Sequence, residues 1–261
     1  MTPKLMGVVN VTPDSFSDGG RYLDADAAMT HGEKLARDGA EILDVGGEST
    51  RPGAEAVDEA EELRRVEPVV AGLAGTATVS IDTSKAAVAE AALGAGAEIV
   101  NDVTALRGDP EMAALCAERG VGVVLMHMPG NPRTMQDDPT YGDVVDEVKA
   151  FLAERVEAAM AAGVEEERIW LDPGIGFGKT LEHNLELLRR LGELRDLGRP
   201  LVIGTSRKSF IGKVDGSPVD ERIGGTIASS VLAAAEGADV LRVHDVAEIN
   251  QAIRLVDAVL G

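Results

Sequence analysis

Residues 78–102 read TVSIDTSKAAVAEAALGAGAEIVND, and the order of residue types in this stretch decides the fold. A short apolar run of strand length, Thr78–Ile81, leads into a helical stretch, Ser84–Leu93, and then into a second short run, Glu98–Val100. Between the helix and the second strand lies Gly94-Ala95-Gly96-Ala97. Glycine is expected there, because the residue just past a helix often needs positive φ. The segments after the strands differ: Asp82-Thr83-Ser84 and Asn101-Asp102 carry polar side chains. Strand, helix, small-residue turn and strand form a βα unit, which argues for a parallel sheet.

The unit recurs along the whole chain. Further strand candidates are Lys4–Val9, Glu41–Val45, Val121–Met126, Arg168–Leu171, Leu201–Ile203 and Val240–Val243. Further helical stretches lie near Asp24–Arg37, Val57–Leu73, Pro110–Glu118, Tyr141–Ala161, Leu181–Leu194, Asp220–Ala235 and Ala247–Leu260. Small-residue turns recur before the next strand at Asp38-Gly39-Ala40, Arg119-Gly120, Ala162-Gly163 and Glu236-Gly237-Ala238. Eight such units close into a single parallel (β/α)8 barrel more naturally than they form an open doubly wound sheet, although the pattern is compatible with both. At 261 residues without a Pro/Ser-rich linker, one barrel domain over residues 1–261 is expected.

Composition narrows the function. Hydrophobic residues make up 44% of the chain and charged residues 27%, as in globular proteins. The formal charge of −20 repels nucleic acid and anionic membrane, so neither is an expected partner. No apolar stretch reaches the ~20 residues of a membrane span, and no leader segment is evident, so a cytoplasmic protein is expected. The single cysteine, Cys116, excludes an intrachain disulfide and reads as core. Lysine is scarce, 7 against 18 arginines, which fits either salt adaptation or genomic bias.

In a barrel the chemistry sits just past the C-terminal ends of the strands. The residues there are Asn10, Asp44, Asp82, Asn101, His127, Asp172, the run Gly204-Thr205-Ser206-Arg207-Lys208, and Arg242 with His244. Each alone has a plain structural reading, such as a helix cap or a turn. Together they divide into two sets. Asp82, Asn101 and Asp172 suit the donor-rich edge of a flat heterocycle such as an amino-pyrimidinone. Arg51, Lys208, Arg242 and His244 supply the local positive field that an anionic substrate needs against the overall charge. The structural alternative for Arg242 and Lys208 is a pair of ion pairs with Asp172 or Asp245. The loop Pro173-Gly174-Ile175-Gly176-Phe177-Gly178-Lys179-Thr180 mimics a nucleotide-binding P-loop, but the required first glycine is Pro173. It also fails the dinucleotide glycine pattern, because Lys179 takes the third glycine's place.

The stretch Met6-Gly7-Val8-Val9-Asn10-Val11-Thr12-Pro13-Asp14-Ser15-Phe16-Ser17-Asp18-Gly19-Gly20 resembles the first signature of the dihydropteroate synthases. Asp44–Gly53, Asp172–Lys179, Gly204–Phe210 and Arg242–Val246 are similar to that family too, so the resemblance runs from residue 6 to 246. It implies transfer of a pterin methylene from 6-hydroxymethyl-7,8-dihydropterin diphosphate to 4-aminobenzoate, giving 7,8-dihydropteroate and diphosphate. By the same resemblance Asp82, Asn101, Asp172 and Lys208 would hold the pterin, with Arg242 stacked on its face. Thr50, Arg51, Arg242 and His244 would contact the diphosphate, and Asn10 would ligate Mg²⁺. Phe16, Pro52, Phe177, Ser206 and Lys208 would form the aminobenzoate pocket, with Asp18 near the developing cationic methylene. The resemblance also implies sulfonamide binding in that pocket and a homodimer. Two alternatives stand beside this reading: a pterin-binding paralogue without turnover, and the methyltetrahydrofolate-binding domain of a corrinoid methyltransferase. The second has no use for Arg51 and His244.

Overall fold

The computed structural model describes residues 2–12, 21–49, 56–131 and 134–260, the side chains of 21–24 excepted. Its eight strands are β1 (Lys4–Asn10), β2 (Ile42–Gly46), β3 (Thr78–Asp82), β4 (Ile99–Asp102), β5 (Gly122–Met126), β6 (Ile169–Asp172), β7 (Val202–Ile203) and β8 (Val240–Val243). Between and after them run α1 (Arg21–Asp38), α2 (Glu59–Leu73), α3 (Ala86–Ala95), α4 (Met112–Arg119), α5 (Val144–Ala161), α6 (Leu181–Arg189), α7 (Ser209–Asp215), α8 (Ile223–Ala235) and α9 (Val246–Leu260). Every strand pair is parallel, in the order β6-β5-β4-β3-β2-β1-β8-β7. The two ends of that order meet through a Leu171–Leu201 bridge, where Leu171 N–H donates to the Pro200 carbonyl at 2.9 Å. The sheet therefore closes on itself, and the open doubly wound alternative is excluded.

Alternation along the strands divides the interior into two cores, since successive side chains point to opposite faces. Outward residues such as Val9, Val45, Ile81, Val100, Leu125, Leu171 and Leu241 are buried against the helices in one continuous cluster. Inward residues Met6, Ile42, Ile99, Val124, Val202 and Val240, with Trp170 packed against them, form a separate cluster that fills the shaft. This second cluster is a floor: the shaft is plugged on the N-terminal side, so only the C-terminal mouth can admit a ligand.

Local chemistry sets the helix boundaries. Asp58 opens α2 by accepting from Glu61 N–H at 2.8 Å, and Asp143 opens α5 by accepting from Val145 N–H at 2.9 Å. Thr180 and His183 form a reciprocal capping box on α6. Each such cap is worth about 1 kcal/mol. The turns expected before the strands take the geometry expected of them, with Gly39, Gly96, Gly120, Gly163 and Gly237 at φ between 60° and 114°.

Several boundaries differ from the sequence expectation. Strands β1, β2, β3, β4 and β6 run on through Asn10, Gly46, Asp82, Asp102 and Asp172. The ladder continues because neither a polar side chain nor the lack of one at Gly46 interrupts backbone pairing. The helix expected over Leu181–Leu194 ends at Arg189 and tightens into a 3₁₀ turn over Leu191–Leu197, closed by Gly198 at φ 65°. The helix expected over Asp220–Ala235 is a 3₁₀ turn, Val219–Glu221, followed by α8, and the short α7 precedes it. Cys116 is fully buried, and burial pushes its thiol up to about 12, so it is a core residue. Among the described residues no helix is long and apolar enough to cross a membrane.

Candidate active site

Two residues beyond the apolar floor, on the same inward face, the strands turn polar. Asp44 follows Ile42, Asn101 follows Ile99, Asp172 follows Trp170 and Arg242 follows Val240. Asp82 stands level with Asn101 in the ladder. Arg242 is the hub of this layer. Its Nε donates to Asp44 Oδ2 at 2.6 Å and its Nη2 donates to Asp82 Oδ2 at 2.6 Å. Asn101 Nδ2 donates to the same Asp44 oxygen at 3.1 Å. One guanidinium thus neutralises two carboxylates, of which Asp44 is fully buried and Asp82 is 7% exposed.

The layer is not self-sufficient. Asp44 Oδ1 and Asp82 Oδ1 are buried without a hydrogen-bond partner among the described residues. Such an atom costs about 1–3 kcal/mol, a cost that a ligand carrying N–H donors removes. Burial pushes Asp82 up to about 7, against the pull of Arg242 and with a further push from Asp44. Asp172 is raised as well by burial, with Lys208 opposing, and its Oδ1 accepts from Gly174 N–H at 2.7 Å. Lys208 is lowered to about 8 by burial, with Asp172 opposing.

Lys208 joins this layer to the loop after β6. Its Nζ donates to the Ile175 carbonyl and lies 4.6 Å from the centroid of the Phe177 ring. It follows Arg207, whose φ of 57° is uncommon for a non-glycine residue. The neighbours hold that strain: Arg207 Nε donates to Asp245 at 2.9 Å, its N–H donates to Thr226 Oγ1 at 3.0 Å, and Arg222 donates to its carbonyl at 3.1 Å. The sharp turn brings Ser206 Oγ to 3.0 Å from His244 Nδ1, where it also accepts from His244 N–H at 3.2 Å. The glycines that imitate a P-loop have a steric cause. A Cβ on Gly174, at φ 67°, would stand 2.0 Å from the His127 carbonyl oxygen, which leaves glycine as the residue that fits.

Asp82, Asn101, Asp172, Lys208, Arg242, Phe177, Ser206 and His244 are thus gathered at one mouth. His127 departs from the expected convergence. It turns away from the shaft toward Phe151 on α5, with ring centroids 4.8 Å apart, and its Nδ1 lies 3.0 Å from Lys179 Nζ. The ion-pair alternative is half right, because Arg242 does pair with acids, but with Asp44 and Asp82, while Asp245 takes Arg207. Asp44 is the strand-end residue that sequence reasoning named but placed in neither chemical set. Its inward parity with Ile42 was the available signal.

Phe16, Asp18, Thr50, Arg51 and Pro52 lie outside the described residues. The stem of the loop after β2 is described, and it is anchored. Lys85 pairs with Glu48 and with the buried Glu62, Thr83 Oγ1 donates to Glu62 at 2.7 Å, and Arg65 donates to the Gly47 carbonyl at 2.8 Å. Asn10, half-buried at the end of β1, is the candidate metal ligand. No group of three or more His, Cys, Asp or Glu among the described residues is placed to hold a metal. Magnesium requires no such cage, since it keeps waters and takes one or two protein oxygens plus substrate phosphates. A lone carboxamide oxygen at this mouth fits that mode.

The family model for pterin binding enzymes matches residues 6–244. Dihydropteroate synthase of Escherichia coli strain K12 is 47% identical over 261 residues, covering 99% of this chain and 92% of the relative. A solved structure of Xanthomonas albilineans dihydropteroate synthase with 4-aminobenzoic acid is 49% identical with a TM-score of 0.94, covering 100% of this chain and 94% of that one. A Yersinia pestis dihydropteroate synthase with a sulfonamide drug complex is 45% identical with a TM-score of 0.94, covering 99% and 94%.

Proposed function

The chain belongs to the pterin binding enzymes and, among them, to the dihydropteroate synthases, transferases of folate biosynthesis, and we propose how the mouth of its barrel carries out that condensation. The pterin lies across the polar layer. Asp82, Asn101 and Asp172 accept from and donate to its ring edge, Lys208 adds a donor, and Arg242 stacks on its face. The single observation that carries this assignment is the pair of unpartnered buried oxygens on Asp44 and Asp82, beside an arginine already fixed by both acids. A flat ring rich in N–H groups relieves that deficit where an apolar ligand would not.

The diphosphate is held by Arg242 and His244, with Thr50 and Arg51 reaching it from the loop after β2. Asn10 would hold Mg²⁺, which would supply neutralisation of charge on the leaving group. The chain's own residues do the rest. The cations stabilise the departing diphosphate, and the pterin ring delocalises the positive charge left on its exocyclic methylene, close to Asp18. The amine of 4-aminobenzoate then attacks from a pocket formed by Phe16, Pro52, Phe177, Ser206 and Lys208, and no covalent enzyme intermediate is required. The loops after β1 and β2 would exclude water that captures the cation. A sulfonamide occupies the same pocket.

We place the protein in the cytoplasm and as a homodimer. Leu232 on α8 and Leu255 and Val259 on α9 stand 59%, 65% and 74% exposed on helices that pack against each other, and a second copy would cover them. Sedimentation is expected to give a two-chain mass, and Leu232→Glu to halve it. The function itself is tested by incubating purified protein with Mg²⁺, the pterin diphosphate and 4-aminobenzoate. Dihydropteroate and diphosphate are expected in equal amounts. Tight pterin binding with no product would favour the paralogue without turnover.

A further inference from the structure

The Gly178-Lys179-Thr180 segment supplies the lysine that a nucleotide loop would aim at phosphates. Here the side chain runs the opposite way. Lys179 is 1% exposed, and its Nζ lies 3.0 Å from the Gly174 carbonyl, 2.9 Å from the Phe177 carbonyl and 3.0 Å from His127 Nδ1. Three acceptors meet the three N–H groups of an ammonium, so its donor capacity is used up beneath the loop.

His127 is built to be the third acceptor. Its ring stands edge-on to Phe151, and burial, with the Lys179 charge adding to it, pushes its pKa down to about 2. A neutral imidazole with Nδ1 unprotonated results, which accepts from lysine and carries no charge to compete with it. The burial of Lys179 lowers its own pKa well below the usual lysine value, with Asp172 opposing. Desolvation of the ammonium offsets much of what its three hydrogen bonds contribute, so stability alone explains the pair poorly.

The two carbonyls that Lys179 ties are the ends of the turn from Gly174 to Phe177, which is closed by Phe177 N–H donating to the Gly174 carbonyl at 3.0 Å. Lys208 meets the same turn at other atoms, bonded to the Ile175 carbonyl and stacked over the Phe177 ring. Lys179, on the Gly174 and Phe177 carbonyls, and Lys208 therefore hold one turn between them. We propose that Lys179, with His127 as its neutral acceptor, is a positioning residue for the aminobenzoate pocket, fixing the Gly174–Phe177 turn so that Phe177 and Lys208 meet the amine substrate in one geometry. This deepens the function proposed above and rests on its assignment of Phe177 and Lys208 to that pocket.

The test compares Lys179→Met, His127→Phe and Phe177→Ala in the full chain, measuring the KM of each substrate, kcat, pterin diphosphate affinity by calorimetry, and Tm. Misplacing the turn is expected to raise the KM for 4-aminobenzoate about tenfold or more in Lys179→Met, and less in His127→Phe, which loses one acceptor of three. Pterin diphosphate affinity in both is expected to fall by much less than the amine KM rises, because Asp82, Asn101 and Arg242 do not bond to the turn, which meets the pterin layer only at Asp172, through the Gly174 N–H, and at Lys208, through the Ile175 carbonyl. A lowered Tm with both KM values unchanged would overturn the proposal, since that is what a purely structural lysine gives. If Lys179→Met does not fold, His127→Phe decides by the same split. If Phe177→Ala leaves the amine KM unchanged, the pocket assignment fails and takes this inference with it. If Phe177→Ala raises that KM while the other two variants do not, the inference alone fails.

Discussion

The floor and the mouth of the barrel are built by the same strands, on the same inward face, about 6.6 Å apart at the strand rise of about 3.3 Å per residue. Ile42, Ile99, Trp170 and Val240 make the floor, and Asp44, Asn101, Asp172 and Arg242, each two residues later, belong to the mouth. Backbone geometry does not distinguish the layers. Residue choice does: the floor is a packed apolar plug, while the mouth holds buried acids, a shared arginine and two unpartnered carboxylate oxygens. A single alternation thus yields one layer that stabilises the fold and another that gives up stability for binding.

Substitutions break this comparison in graded order. Arg242→Ala is expected to have the largest effect. It leaves Asp44 and Asp82 buried without their cation, at a cost of about 3–5 kcal/mol, and removes the stacking and phosphate contacts proposed for Arg242. Loss of turnover with a lower Tm is expected, and near-normal steady-state rates would show that strand eight has been misread. Asp44→Asn is the next largest. It keeps the volume but weakens the hold on Arg242 and Asn101, so kcat/KM is expected to fall about tenfold to hundredfold, read by steady-state kinetics with the pterin diphosphate varied. Ile99→Ala, on the floor, is expected to do the reverse. It costs about 2–5 kcal/mol of stability by chemical denaturation, while kcat and both KM values stay nearly unchanged.

The pH dependence sharpens the contrast. Asp82 rises on folding from its ordinary value to about 7, so the fold gains from its protonation in acid and loses that gain as pH climbs through about 7. Lys208 falls to about 8, so its contribution is present well above that value and is lost as pH drops through about 8. Between about 7 and 8 both groups are charged, which is where they favour the fold least and where the layer proposed to bind the ring has its acceptor and its donor. A bell-shaped kcat/KM profile centred there is expected, together with a shallow dip in Tm over the same range. The dip should flatten in Asp82→Asn, and a Tm profile unchanged by that substitution would separate the two effects.

Much of this was legible in the sequence because it rests on periodicity. The βα repeat fixed eight strands to within a residue or two, and the positive-φ glycines before the strands followed from helix-end geometry. The gathering of Asp82, Asn101, Asp172, Lys208 and Arg242 followed from strand ends sharing one mouth. What was not legible depends on which way a side chain turns. Asp44 and Arg242 stand 198 residues apart, and no local pattern announces their bond. His127 directly follows a strand, as Asp172 ends one, yet it has the opposite parity from inward Met126 and turns toward Phe151 on α5. Lys179 occupies a familiar motif position but is drawn under its loop by carbonyls that only the folded turn brings together. The short helix α7 is seven residues long, below the length at which periodicity is readable.

The central claim is that the inward polar layer, and not another part of the surface, binds the pterin. Calorimetric titration of Asp172→Asn and Ile99→Ala with the pterin diphosphate, beside the parent chain, tests it most directly. Losing a charged acceptor is worth about 1.5–3 kcal/mol, so Asp172→Asn is expected to bind roughly tenfold to 150-fold more weakly, while Ile99→Ala matches the parent. Equal affinity in Asp172→Asn and the parent would contradict the account.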